Sequence, residues 1–212
     1  MPYSLVIFDL DGTLADSLHW FRRNVNDVAD RFGFSRIEDD DVESLRQAGS
    51  REILRRLKVP LWKLPAIAGH MRRMKAQHLG DIPLFPGTEA MLRSLRDGGL
   101  TLALVSSDNE VNARRQLGEA AALFAHFDCG ASLFGKAAKF RRVVRRGGIP
   151  PSQAIAIGDE VRDIEAARAA GIACGAVLWG YAAPDALRAL APDLAFERLE
   201  DLPGQLTNKG RA

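Results

Sequence analysis

Two groups of carboxylates, far apart in the chain, each follow a short apolar run. Asp9 and Asp11 come after Leu5-Val6-Ile7-Phe8. Asp159, Glu160 and Asp163 come after Ala154-Ile155-Ala156-Ile157 and Gly158. A short apolar run that ends in small or acidic residues reads as a buried strand giving way to a loop. Asp9 and Asp11 stand two apart, and Gly12 permits the sharp bend that lets both point into one pocket. If the two runs are neighbouring parallel strands, four aspartates meet at their carboxyl ends. Such a concentration of negative charge repels itself, and it makes chemical sense around a hard cation such as Mg²⁺.

Asp9-Leu10-Asp11-Gly12-Thr13 resembles the first motif of the haloacid dehalogenase superfamily, and in particular of its phosphoglycolate-phosphatase-like phosphatases. Gly158-Asp159 through Asp163 resembles the fourth. Ser106-Ser107-Asp108-Asn109, after the apolar run Leu102-Ala103-Leu104-Val105, resembles the second. Gly135-Lys136 ahead of a helical pattern resembles the third. The likeness covers nearly the whole chain. Its first and fourth motifs are specific, whereas the second and third are short. The family often follows its lysine with proline; here Ala137 follows, and Lys139 is an alternative. Lys136 is preferred because it directly follows Gly135.

The resemblance implies an α/β fold, a Rossmann-like parallel sheet sandwiched by helices, with an inserted helical cap. It implies a Mg²⁺-dependent phosphatase that hydrolyses a small phosphomonoester through an aspartyl-phosphate. Asp9 is then the nucleophile and Asp11 the general acid and base. The metal ligands are the Asp9 carboxylate, the Asp11 backbone carbonyl and the Asp159 carboxylate. Asp163 stands behind them and orients waters or Lys136. Glu160 either reaches the metal waters or places favourable charge at a helix N-terminus. The Ser106 hydroxyl and the Ser107 backbone N–H hold a phosphate oxygen, unless Ser107, Asp108 or Asn109 simply caps the next helix. Lys136 neutralises the phosphoryl group. In Gly49-Ser50-Arg51, Arg51 grips an anionic part of the substrate, or Ser50 merely starts a helix.

Rival chemistries are kept in view. A phosphomutase uses the same two aspartates with a sugar as acceptor. Dehalogenation needs no second acid such as Asp11. Phosphonate hydrolysis needs a Schiff-base lysine in the cap, and Lys58, Lys63 and Lys75 have no context that supports one. A non-catalytic module that keeps the fold is the rival of another class.

The elements that position these residues follow from the hydrophobic pattern. Apolar runs at residues 5–8, 102–105, 154–157 and 173–178 alternate with helical patterns, which reads as βαβ units and a parallel sheet. Ile164, Ala167 and Ala170 share a helical face that ends at Gly171. Arg141, Arg142, Arg145 and Arg146 lie on the solvated face of a second helix. Residues 16–82 break the alternation with helical patterns only. The expected division is a core of residues 1–15 and 83–212 and a cap of residues 16–82. Trp20 and Trp62 are expected to anchor the cap's core, Asp39-Asp40-Asp41 to form a solvated turn, and the tail after about Pro203 to fray.

The 212 residues carry a formal charge of +2, too small to argue for nucleic acid. Cys129 and Cys174 have no metal-pair or disulfide spacing. The four histidines show no ligand spacing. With no signal-like or membrane-length apolar segment, the expectation is a cytoplasmic protein acting on a small phosphorylated metabolite, with neither nucleic acid nor membrane as partner. Nothing in the sequence specifies an oligomeric state.

Overall fold

A computed structural model of the chain describes residues 3–130 and 135–207. Six strands form one parallel sheet: β1 (Leu5–Phe8), β2 (Thr101–Val105), β3 (His126–Asp128), β4 (Ala154–Gly158), β5 (Ala173–Val177) and β6 (Leu194–Phe196). Their spatial order is β3-β2-β1-β4-β5-β6. β1 lies between β2 and β4, with Phe8 opposite Leu104 on one side and Ile157 on the other. The unbroken apolar run of β1 is what a strand covered on both faces requires.

Alternate side chains of each strand enter opposite layers. Val6, Phe8, Leu102, Leu104, Ile155 and Ile157 face one layer of the core. There they meet α5 (Thr88–Asp97), α6 (Glu110–Leu117) and α10 (Asp201–Leu206). Leu5, Ile7, Ala103, Val105, Ala154 and Ala156 face the other. They meet α7 (Lys136–Gly147), α8 (Val161–Ala170) and α9 (Pro184–Ala189). Gly171 ends α8 in the left-handed region at φ 75°, the conformation a helix stop of this kind needs.

Residues 16–82 contain four helices and short 3-10 turns: α1 (Leu18–Phe32), α2 (Val42–Arg46), α3 (Ser50–Arg56) and α4 (Leu64–Gln77). They have a small apolar cluster of their own, with Leu45, Leu57 and Val59 buried among Phe34, Ile37 and Ile53. The chain leaves and re-enters the sheet layer through adjacent segments. Asp16 donates its N–H to Pro83 O (2.9 Å) and Phe85 donates to Leu14 O (2.9 Å).

Several local expectations need correction. The tail does not fray as far as it is described: Asp201–Leu206 is helical, with Leu202 and Leu206 buried against α5, and residues 208–212 lie outside the described residues. Trp20 is buried, but Trp62 is 78% exposed and anchors nothing. β3 and β6 are three-residue edge strands with too few apolar residues to register as periodic. The pattern over 42–57 divides into two helices, with Gln47, Ala48 and Gly49 between them. Asp39–Asp41 is an exposed 3-10 turn, as expected. Among the described residues no helix is long and apolar enough to cross a membrane.

Leu104 is fully buried at the centre of β2. Leu104→Ala should lower unfolding free energy by about 2–5 kcal/mol through lost transfer energy and a residual cavity. Denaturant titration checks this, and a loss under about 1 kcal/mol would mean the site collapses freely.

Candidate active site

Because β1 and β4 pair directly, the loops that follow them open side by side. Asp9 continues the ladder, its N–H donating to Ile157 O (2.9 Å). This is where chain connections diverge to opposite edges of the sheet, the crevice that open parallel sheets offer to ligands.

Asp9 is 5% exposed. Its Oδ1 accepts the Leu10 N–H (2.8 Å) and its Oδ2 accepts from Lys136 Nζ (2.6 Å). Lys136 also donates to Asp163 Oδ1 at 2.5 Å, so one ammonium joins two carboxylates. Burial works against ionising Asp9, yet the charge and hydrogen bond of Lys136 hold its pKa below the usual carboxylate range. Burial likewise opposes the Lys136 charge, but Asp163 and Asp9 outweigh it and push that group upward. Lys136 is the first residue of α7, with Gly135 before it, so helix entry aims its side chain at the sheet ends.

Asp159 is completely buried. Thr13 Oγ1 donates to its Oδ1 (2.7 Å) and the Tyr181 N–H to its Oδ2 (2.8 Å). Burial, reinforced by Glu160, Asp163 and Asp9, raises it well above the ordinary aspartate range. Gly12 lies against it at φ 76°; a Cβ there would fall 2.2 Å from Asp159 Oδ2 and 2.5 Å from Tyr181 Cδ2. Only glycine gives both that backbone conformation and that approach. Asp163 Oδ2 accepts the Glu160 N–H (3.0 Å), and the Glu160 side chain accepts from the Asp163 backbone, a reciprocal cap on α8.

Asp9, Asp159 and Asp163 each offer a carboxylate oxygen within 4.8 Å of the others. Ligand oxygens around octahedral Mg²⁺ stand roughly 2.9 Å apart when adjacent and 4.1 Å when opposite. The three must close in to reach those separations, and their hard oxygen donors fit that ion. Asp163 belongs to this cluster, whereas the carboxylate of Asp11 does not. Asp11 instead accepts twice from Lys75 Nζ (2.6 and 2.8 Å), a lysine of α4. Its backbone carbonyl accepts no backbone N–H among the described residues.

Lys75 is nearly buried and also lies 3.1 Å from Asp108 Oδ2. Burial opposes its charge, and Asp11 and Asp108 more than offset that opposition, raising its pKa. Its contact with Asp11 spans 64 residues, and no local spacing announces it. Arg46 of α2 donates to the carbonyls of Tyr181 (3.0 Å) and Gly180 (3.3 Å), and the Phe21 ring meets Tyr181 edge-on at 5.6 Å. Lys75, Arg46 and Phe21 thus hold the helical insertion against the acidic loops.

Ser106 is buried at the end of β2, its hydroxyl accepting from the Asp108 N–H (3.1 Å). Ser107 is exposed. Capping of α6 falls to Asn109, whose side chain accepts the Asn112 N–H (2.8 Å). Lys139 donates to the carbonyls of Ser106 (2.9 Å) and Gly130 (2.5 Å) and touches no acid of the cluster, and burial lowers its pKa. A small cavity lies between Val105, Ser106, Ser107, Lys136, Lys139 and Arg162. Arg162, inside the fourth motif but given no role from sequence, also pairs with Glu160. Arg51 lines, with Leu54, Arg55, Lys58, Val59 and Leu61, a cavity of about 660 Å³ whose lining includes no member of the acidic cluster.

The model for haloacid dehalogenase-like hydrolases matches residues 6–177, from β1 to the end of β5, so all four motifs lie within it. The chain belongs to that family. Among similar members, a phosphoglycolate phosphatase of Synechococcus elongatus is 35% identical over 199 residues, covering 93% of this chain and 94% of that protein. A phosphoglycolate phosphatase of Xanthomonas campestris is 32% identical, covering 83% of each. A haloacid dehalogenase-like hydrolase from Streptococcus pneumoniae shares the fold, with a TM-score of 0.78 at 20% identity over 96% of this chain and 98% of that one. As a haloacid dehalogenase-like hydrolase, the protein is a phosphatase similar to the phosphoglycolate phosphatases.

Lys136 is the main counter-charge inside this hydrolase's acidic cluster. Lys136→Met should destabilise the metal-free protein by about 3–5 kcal/mol, because it leaves buried carboxylates uncompensated. Pairing it with Asp163→Asn should cost less than the sum of the two single changes. A double-mutant cycle by chemical denaturation measures that coupling, and strict additivity would mean the 2.5 Å contact carries no energy.

Proposed function

We propose that this protein is a Mg²⁺-dependent phosphatase of small anionic phosphomonoesters of the phosphoglycolate type, acting through an aspartyl-phosphate on Asp9. The observation that carries the reading is the Asp9 carboxylate itself. It is buried at the sheet's crevice, with one oxygen on Lys136 and two further aspartates within metal-bridging distance. Kinship with phosphoglycolate phosphatases over nearly the full chain supports the substrate class.

In this reading Asp9, Asp159 and Asp163 hold the ion, joined by the Asp11 carbonyl. When bound, Mg²⁺ supplies the positive charge that lets a carboxylate approach a phosphate. Asp9 attacks phosphorus, and the bond to the ester oxygen breaks. Asp11 delivers a proton to the departing oxygen and then takes one from the water that cleaves the intermediate. Lys136 and the Ser106 hydroxyl meet the phosphoryl oxygens as charge moves onto them. The Ser107 N–H lies on the same rim. Residues 16–82 act as a cap over a core of residues 1–15 and 83–212, with Lys75 fixing Asp11 from the cap side. Arg51, on the cap, bears on substrate choice rather than on the shared phosphoryl chemistry.

Asp9→Asn should abolish turnover while the fold persists, since an amide is a poor nucleophile and the barrier rises by several kcal/mol. Asp11→Asn should slow breakdown of the intermediate more than its formation. Intact-mass measurement after mixing with substrate should then find phosphate on Asp9; phosphate on another residue, or wild-type turnover by Asp9→Asn, would refute the mechanism.

Chelation should stop hydrolysis and added Mg²⁺ should restore it. Asp159→Ala should raise the Mg²⁺ concentration needed for half-maximal rate, and Asp163→Ala should raise it too. Metal titration of the steady-state rate decides, and a wild type indifferent to chelator would sink the metal site.

A further inference from the structure

Arg162 is a charged side chain of the crevice to which the reading above gives no task. It is the second residue of α8, and its side chain is 21% exposed. One end pairs with Glu160. Its Nε is different: the atom is buried and has no hydrogen-bond partner. A buried N–H without an acceptor costs free energy that a structure rarely leaves unrecovered.

The surroundings indicate which kind of acceptor suits that N–H. Arg162 lines the small cavity with Val105, Ser106, Ser107, Lys136 and Lys139. Three of those six residues are cationic and none is acidic. The cavity holds about 10 Å³, the space of roughly one water molecule or one phosphoryl oxygen. It adjoins Asp9, because Lys136 both lines it and donates to Asp9 Oδ2. The pairing with Glu160 explains one end of the guanidinium and leaves Nε aimed at nothing.

We propose that Arg162 is a direct contact to the transferring phosphoryl group, its Nε–H donating to the oxygen that occupies this cavity beside Ser106 and Lys136. The contact rests on the phosphatase reading and adds a residue to it. A planar guanidinium can keep Glu160 on one edge while presenting Nε–H to an oxyanion on another. Because every substrate shares the phosphoryl group, the contact acts on all of them alike.

Kinetics on several phosphomonoesters, with inorganic phosphate as inhibitor, test the contact. Arg162→Met should lower kcat/KM for every ester by a common factor of about 100 to 1,000, the usual cost of one oxyanion donor. The inhibition constant for inorganic phosphate should rise by about tenfold or more. A purely structural Arg162, present only to neutralise Glu160, makes a different forecast. Its loss would be recovered when Glu160→Gln is added, whereas a phosphoryl contact stays lost in that double variant.

Wild-type phosphate inhibition in Arg162→Met, or recovery in the double variant, overturns the proposal. If Arg162→Met does not fold, R162K decides. It keeps a cation for Glu160 but loses the Nε–H, so weaker phosphate inhibition supports the contact and unchanged inhibition overturns it. A wild type without Asp9-dependent hydrolysis would instead defeat the phosphatase reading, which separates the two failures.

Discussion

The ammonium of Lys136, held between Asp9 and Asp163, is the interaction on which the site depends. Asp9, Asp159, Glu160 and Asp163 crowd one crevice, and Lys136 and Arg162 are the cations in direct contact with them. Four acids against two bases leave two negative charges uncompensated, the amount one divalent ion supplies. The raised pKa of Asp159 is the same deficit seen from a single group: with too few cations nearby, a completely buried carboxylate resists ionising. The fold serves this balance. β1 and β4 must be neighbours for the acids to meet, and α7 must begin at Lys136 for its side chain to reach them.

Much of this was legible in the sequence because the relevant signals are local. Four- and five-residue apolar runs followed by acids or small polar residues mark β1, β2 and β4, and their pairing brings Asp9, Asp159 and Asp163 together. The stop of α8 at Gly171 was equally plain. What escaped notice depends on distant parts of the chain. β3 and β6 become strands because β2 and β5 offer them an edge, since three residues have no readable period. Lys75 gains its meaning from Asp11, across 64 residues. Arg162 stood in view within a motif, yet only the unpartnered Nε and the cavity beside it give that residue a task. Trp62 was misjudged because an aromatic residue in a helical pattern looks like core until its face is known.

Two parts of the chain meet at the crevice. Asp9, Ser106, Lys136, Asp159 and Asp163 sit on strand ends and helix starts of the sheet layer, where packing on both faces fixes them. Residues 16–82 reach that crevice through Lys75 on Asp11 and Asp108 and Arg46 on the carbonyls of the Tyr181 loop, and they also bury Trp20 and Ile82 in the core layer beneath it.

The paired connectors at Asp16–Pro83 and Phe85–Leu14 have a consequence for ancestry. A segment that departs and returns through two hydrogen-bonded neighbours presents its host with a single doorway. Replacing everything between those two points would keep the order of the strands but remove Lys75 and Arg46, the side chains that tie Asp11 and the Tyr181 loop to this segment. Two adjacent junctions therefore suffice to exchange the segment by recombination without rethreading the sheet.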